Sequence, residues 1–339
     1  MKILTIIGTR PQYVKWWALE AELRRRGVDY AVADTGQHFD PNMSAVFFDQ
    51  LGLTPPKHRL EVHSLPIAHM IGTMAGKLAP IVQSEPWTKC VVIGDTASTL
   101  AGALAAARAG LPIYHVEAGV RSQNRNPEEL NRVAVDHLSE KLFCPTDYAF
   151  DCAREEGLEA RSIWTGDINF DCVRLVREGG LAVRPEGLDE TSGSIDFMTL
   201  HRAENTVSAD VLSDIFEYVN DTSGADEIIF PVHPRTRSVL DPERARIGKI
   251  RPIAPIGYLE TQWLLERARH VFTDSGGVQK EAFFHGVRAT LILDDTPYPE
   301  LLDGGWVRLW RGEDFKDRQT IDAFGDGRAA ARMVDEILA

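Results

Sequence analysis

The chain has 339 residues, 44% hydrophobic and 26% charged, an ordinary globular composition that excludes a largely disordered or membrane-embedded protein. Its 37 lysines and arginines against 50 aspartates and glutamates leave a net charge of −13, which argues against general binding to nucleic acid or an anionic membrane. A small anionic ligand must then be drawn in by a local cationic cluster, and a chain of this length is expected to form two domains, because single cores stop growing near about 250–300 residues.

The opening MKILTIIGTR has too few apolar residues for a signal-peptide core and reads as a first strand over residues 2–7. A helix around 12–25, closed by Gly27, follows it. A strand at 89–94 leads into the alanine-rich helix 97–109, closed by Gly110. Strands near 112–116 and 141–144, with helices near 127–139 and 146–156, continue the alternation that marks βαβ units and a parallel sheet. Around 179–193, GGLAVRPEGLDETSG loses periodicity as a connection between domains would. A second alternation has strands near 195–200, 226–232, 270–273 and 289–293 and helices near 207–219, 258–268 and 277–285.

The expected fold class is α/β, with two Rossmann-like domains spanning 1–168 and 169–326 and a last helix, about 327–339, folding back onto the first. Four cysteines without a CxxC pair indicate neither a disulfide framework nor a zinc knuckle, and point to reduced thiols in a cytoplasm. No apolar run approaches the roughly 18 residues of a membrane helix.

Ligands of open α/β sheets bind at the carboxyl ends of strands, and here those ends are polar. The first strand runs into Gly8-Thr9-Arg10-Pro11, with Lys15 one helical turn in; 91–96 ends in Gly94-Asp95-Thr96; 113–119 carries His115, Glu117 and Gly119. In the second half the ends carry His201-Arg202, His233-Pro234-Arg235 and Asp274-Ser275-Gly276-Gly277.

Ser275-Gly276-Gly277 before a helix suits a phosphate, because exposed N–H groups and the positive helix end favour an anion. Glu281, one turn in, could accept hydrogen bonds from ribose hydroxyls. Arg10 and Lys15 are suited to neutralising a diphosphate, and His201 and His233 beside arginines look like phosphate contacts. No pair of ligating residues stands at metal spacing, so neither a metal nor a cofactor is expected.

Asp95, Glu117 and Glu128 are the candidate acid–base groups for moving a proton to or from carbon. Asp95 could equally cap helix 97–109. In Asn126-Pro127-Glu128-Glu129 the proline fits a first helical position and Glu129 could complete a capping box. Glu128 and Arg132 stand four apart, as a helix ion pair would.

GTRPQYVK (8–15), GQHFDPNMSAVFF (36–48), GDTASTLAGALAA (94–106), HVEAGVRS (115–122), PEELNR (127–132), LHRAEN (200–205), VHPR (232–235), GYLE (257–260), TDSGGVQKEAFFHGV (273–287) and GGW (304–306) together resemble the UDP-N-acetylglucosamine 2-epimerase family, in order and spacing and over nearly the whole chain. The resemblance implies a GT-B fold with the active site in the interdomain cleft, usually a homodimer, and a reaction without metal or NAD. In it C2 loses its proton while UDP leaves C1, and UDP re-adds to the glycal after reprotonation on the opposite face. By the same match Asp95, Glu117, Glu128 and His201 fall on catalytic positions; Arg10, Lys15, Arg132, Ser275, Gly276, Gly277 and Glu281 fall on substrate and UDP contacts.

Where the family typically has RDETEW, this chain has Leu293-Asp294-Asp295-Thr296-Pro297-Tyr298-Pro299-Glu300, keeping Thr296 but losing the Arg, the Glu and the Trp. The 36–48 segment is similar to the branch without the residues that hold an activating second UDP-GlcNAc. Expected substrates are therefore UDP-GlcNAc and UDP-ManNAc or a modified UDP-sugar. A hydrolysing epimerase, a glycosyltransferase on the same fold, and a silent nucleotide-sugar binder are the other readings.

Overall fold

The computed structural model describes residues 1–37, 48–122, 127–188, 193–232, 234–237, 239–240 and 247–339. They divide into two compact units, one of Met1–Cys172 with Asp322–Ala339 and one of Val173–Ile321.

The first unit is built on a parallel sheet of β1 (Lys2–Ile7), β2 (Asp29–Asp34), β3 (His58–Arg59), β4 (Lys89–Ile93), β5 (Ile113–Val116), β6 (Lys141–Cys144) and β7 (Ser162–Trp164), ordered β3-β2-β1-β4-β5-β6-β7. Ile3, Leu4, Ile6 and Ile7 of β1 are all 0% exposed, as a central strand covered by helices on both faces requires. Helix Ala97–Arg108 lies so close to β1 that a Cβ on Gly102 would stand 3.0 Å from Ile6 Cγ2, which accounts for the run of small residues there.

Helix Ala329–Leu338 completes this unit by packing against helix Arg10–Arg25. Asp171 accepts from the N–H groups of Ala329 and Ala330 at 2.9 and 3.0 Å, satisfying the exposed donors of the helix start. Met333, Val334 and Ile337 are buried behind it.

The second unit has its own parallel sheet of β8 (Ile195–Thr199), β9 (Glu227–Pro231), β10 (Ile250–Ile253), β11 (Ala268–Thr273), β12 (Arg288–Leu291) and β13 (Val307–Leu309), ordered β10-β9-β8-β11-β12-β13. Phe216, Phe230 and Phe272 fill its core between sheet and helix Ala209–Thr222. Both units are thus Rossmann-like. Among the described residues no helix is long and apolar enough to cross a membrane.

In each sheet the chain winds to one side of a central strand and then returns on the other. The reversal lies between β1 and β4 in the first unit and between β8 and β11 in the second. At such a switch point neighbouring loops leave in opposite directions and open a crevice at the strand ends, where ligands of this architecture bind.

Candidate active site

In the first unit the switch-point loops are locked together by Gln12. This side chain, 1% exposed, accepts at Oε1 from the N–H groups of Gly8 and Thr9 at 2.8 and 3.1 Å. Its Nε2 donates to Ile93 O at 2.7 Å and to the hydroxyls of Thr96 and Thr99 at 3.1 and 3.0 Å, so the loops after β1 and β4 move as one. Gly8 is forced by packing, since a Cβ there would stand 1.8 Å from Thr35 Oγ1.

On this base Lys15 pairs with Glu117 Oε2, their side chains 13% and 12% exposed. Arg132 pairs with both Asp95 Oδ2 and Glu129 Oε2. Four of the expected residues therefore form two cation–carboxylate pairs at neighbouring strand ends. Sequence offered Asp95 as cap of the following helix; the structure gives that place to Thr96, whose Oγ1 accepts from Thr99 N at 3.3 Å. Glu129, the expected capping-box partner, accepts from Ser122 N at 3.1 Å; Asn126 lies outside the described residues. Glu128 is exposed in the first turn of helix Pro127–Leu138, and Arg10 opens the helix after β1.

Below the pairs lies a wholly buried dyad. His115 Nδ1 meets Asp136 Oδ1 at 2.6 Å and its Nε2 meets Gly94 O at 2.7 Å, while Asp136 Oδ2 accepts from Gly119 N at 3.1 Å. Arg121 Nη1 reaches the same carboxylate at 2.8 Å. Burial acts to raise the Asp136 carboxyl, but the His115 ring and the Arg121 guanidinium outweigh it and hold it below its ordinary value. The dyad thereby fixes the loops on either side of Asp95 and Glu117.

The second unit centres on Asp274, 0% exposed at the end of β11. It accepts from the N–H groups of His201 and Arg202 at 3.0 and 2.9 Å and from Asn205 Nδ2 at 3.1 Å, and its Oδ1 faces His201 Nδ1 at 2.8 Å. Burial would raise this carboxyl, yet these donors keep it low and charged. His201 is thereby oriented while its side chain stays 47% exposed.

Ser275 caps helix Gly276–Phe284 by accepting from Val278 N at 3.3 Å. A Cβ on Gly276 or Gly277 would meet nothing nearer than 3.8 Å, so packing within the protein does not ask for these glycines. Room for a ligand against the backbone does. Glu281 is buried and accepts at Oε2 from Gln262 Nε2 at 2.8 Å; Gln262 Oε1 lies 2.8 Å from His285 Nε2. His233 lies outside the described residues. Among the described residues no cluster of three or more His, Cys, Asp or Glu side chains is placed to hold a metal ion.

A sequence model described as UDP-N-acetylglucosamine 2-epimerase matches residues 21–338. The chain belongs to the UDP-N-acetylglucosamine 2-epimerase family. It is accordingly an enzyme of the isomerase class. Within this family it is 43% identical over 314 residues to the UDP-2,3-diacetamido-2,3-dideoxy-D-glucuronate 2-epimerase of Pseudomonas aeruginosa, covering 90% of this chain and 87% of that protein. The crystal structure of the Methanocaldococcus jannaschii UDP-GlcNAc 2-epimerase in complex with UDP-GlcNAc and UDP superposes with a TM-score of 0.87 at 32% identity, covering 100% and 99% of the two chains. A glycosyltransferase of Streptomyces nogalater, at 17% identity, TM-score 0.57 and 100% and 95% coverage, shares the fold alone.

Reading the sequence assigned no role to Gln12, Asp136, Gln262 or Asp274. Asp274 left a signal, as the acid that precedes the Ser-Gly-Gly turn at a strand end, and Gln12 another, in the Thr9-x-x-Gln12 spacing of a capping box.

Proposed function

We propose that this protein interconverts UDP-GlcNAc and UDP-ManNAc, or a modified UDP-sugar of the same type, at C2. In the forward direction a base takes the C2 proton as the C1–O bond breaks, UDP leaves with the electron pair, and a C1=C2 glycal remains. Protonation of C2 from the other face and attack of the UDP oxygen at C1 complete the cycle. Asp95, Glu117, Glu128 and His201 supply the proton transfers. Arg10, Lys15, Arg132 and His233 neutralise the diphosphate, which sits on Ser275, Gly276 and Gly277, and Glu281 holds the ribose.

The observation that carries this reading is the pairing of Lys15 with Glu117 and of Arg132 with Asp95 at one switch point. Each cation is held beside a carboxylate until an anionic group competes for it, and each carboxylate is thereby positioned for proton transfer. The expected enzyme is a cytoplasmic homodimer that needs no metal.

Incubation with UDP-GlcNAc in deuterium oxide, followed by proton NMR, is expected to show the C2 hydrogen replaced by deuterium in substrate and epimer alike. Epimerisation with the C2 hydrogen retained would sink the mechanism, and UDP accumulating with free sugar would mark hydrolysis instead. Because the Pseudomonas relative is named for a diacetamido uronate, the UDP-sugar carrying 2,3-diacetamido groups belongs beside UDP-GlcNAc in the same assay.

A further inference from the structure

The Ser275–Gly277 turn is backed by a donor that has no acceptor among the described residues. Gln279 is 1% exposed on helix Gly276–Phe284, and its Oε1 accepts from Thr296 Oγ1 at 3.0 Å. That hydroxyl accepts in turn from Tyr298 N at 3.2 Å, which anchors it to its loop. The amide oxygen is thus engaged, and among the described residues Gln279 Nε2 has no hydrogen-bond partner. It lies 4.0 Å from the point where a Cβ on Gly276 would stand, beside the first glycine of the proposed phosphate seat.

Ser275 already takes the N–H groups of Val278, through Oγ at 3.3 Å, and of Gln279, through its carbonyl at 3.2 Å. The glycine N–H groups of the first turn are then those left to meet an anion. A buried amide N–H without an acceptor is costly and rare, so a side chain held in this state beside an anion seat is waiting for an oxygen that the ligand brings.

We propose that Gln279 Nε2 donates to a phosphate oxygen of the nucleoside diphosphate on this turn, and that Thr296 aims it. The proposal rests on the nucleotide-sugar reading above and adds a binding residue to it. It also gives Thr296 a role in a loop that loses the Arg, the Glu and the Trp of its family pattern: the threonine orients the donor.

The test is calorimetric titration of the full-length chain with UDP and with uridine. Gln279→Leu is expected to weaken UDP about tenfold, the loss of one charge-assisted hydrogen bond, and to leave uridine unchanged. Gln279→Glu is expected to weaken UDP further, because a carboxylate would face the phosphate. Thr296→Val, which leaves Gln279 in place, is expected to give a smaller loss for UDP alone, and it decides the matter if Gln279→Leu melts early. UDP binding within twofold of wild type in both Gln279→Leu and Thr296→Val, or equal losses for UDP and uridine, overturns the proposal while leaving the epimerase reading intact. Failure of the wild-type chain to bind UDP overturns both.

Discussion

At Glu117 the backbone takes φ 69°, a left-handed conformation that costs a non-glycine residue about 1–2 kcal/mol. Glycines at 94 and 119 take similar angles nearby at no such cost. A strained residue survives where its side chain is needed in one place, and here the carboxylate is needed at Lys15. Glu117→Gln keeps the shape of the side chain and removes its basicity. Turnover is expected to fall about 10²–10⁴-fold, the usual worth of a positioned proton-transfer group, with UDP binding no weaker because Lys15 loses its competing anion. Steady-state kinetics with a parallel UDP titration checks this; turnover within tenfold of wild type would take Glu117 out of the reaction. These residues were legible because strand ends carry ligands in open α/β sheets. The bonds from Gln12 to the loop after β4 and from Asp136 to His115 were not, because those partners lie 81–87 and 21 residues away in sequence; only the Thr9-x-x-Gln12 spacing of a capping box is local.

Among the elements, the strands that sequence exposed are the central ones, and those it missed lie mostly at the sheet edges. β3, β7, β10 and β13 terminate their sheets and run for two to four residues. A strand covered on both faces must be an apolar run, whereas an edge strand need not be: β10 even contains Pro252, tolerable where a ladder bond is not required. β2 escaped for another reason, since DYAVAD ends in Asp34, whose buried carboxylate accepts from Tyr13 at 3.1 Å. Helix Ile67–Ser84 hides Met70, Met74, Leu78 and Val82 at a spacing of four behind Gly72, Gly76 and Pro80. The His115–Asp136 dyad, which joins β5 to helix Pro127–Leu138, is where a single change should cost most. Asp136→Asn leaves Arg121 and His115 beside a neutral amide and is expected to destabilise by about 3 kcal/mol in urea unfolding at pH 7. Because the folded carboxyl sits below its unfolded value near 3.9, its contribution is present above that pH and lost as pH falls through the folded value. The gap between wild type and Asp136→Asn should therefore close below about pH 4; a gap unchanged at pH 3 would remove the dyad from the account.

Taken whole, the molecule carries its acid sensitivity unevenly. In the second unit, burial together with the Arg308 and Arg288 guanidinium groups pushes His270 down to about 4, and burial aided by Arg177 does the same for His285. Both rings are neutral when folded and free to protonate near pH 6.5 when unfolded, so the stability they confer is complete above 6.5 and drains away between 6.5 and 4. At pH 5 ordinary carboxylates remain charged, and the two histidines together withdraw about 4 kcal/mol. The Asp136 contribution in the first unit does not begin to fail until about pH 4. Hydrogen exchange is therefore expected to show protection falling in residues 173–321 between pH 7 and pH 5, while β1, β4 and β5 of the first unit hold. His270→Gln and His285→Gln, whose side chains do not titrate, should each flatten that fall by about half. Equal loss in both units, or a fall unmoved by either substitution, would place the acid lability elsewhere. Since His285 supports Gln262 and Gln262 supports Glu281, the His285→Gln chain also reports on the nucleotide: weaker UDP binding with that flatter profile is the joint outcome the Glu281–Gln262–His285 chain requires.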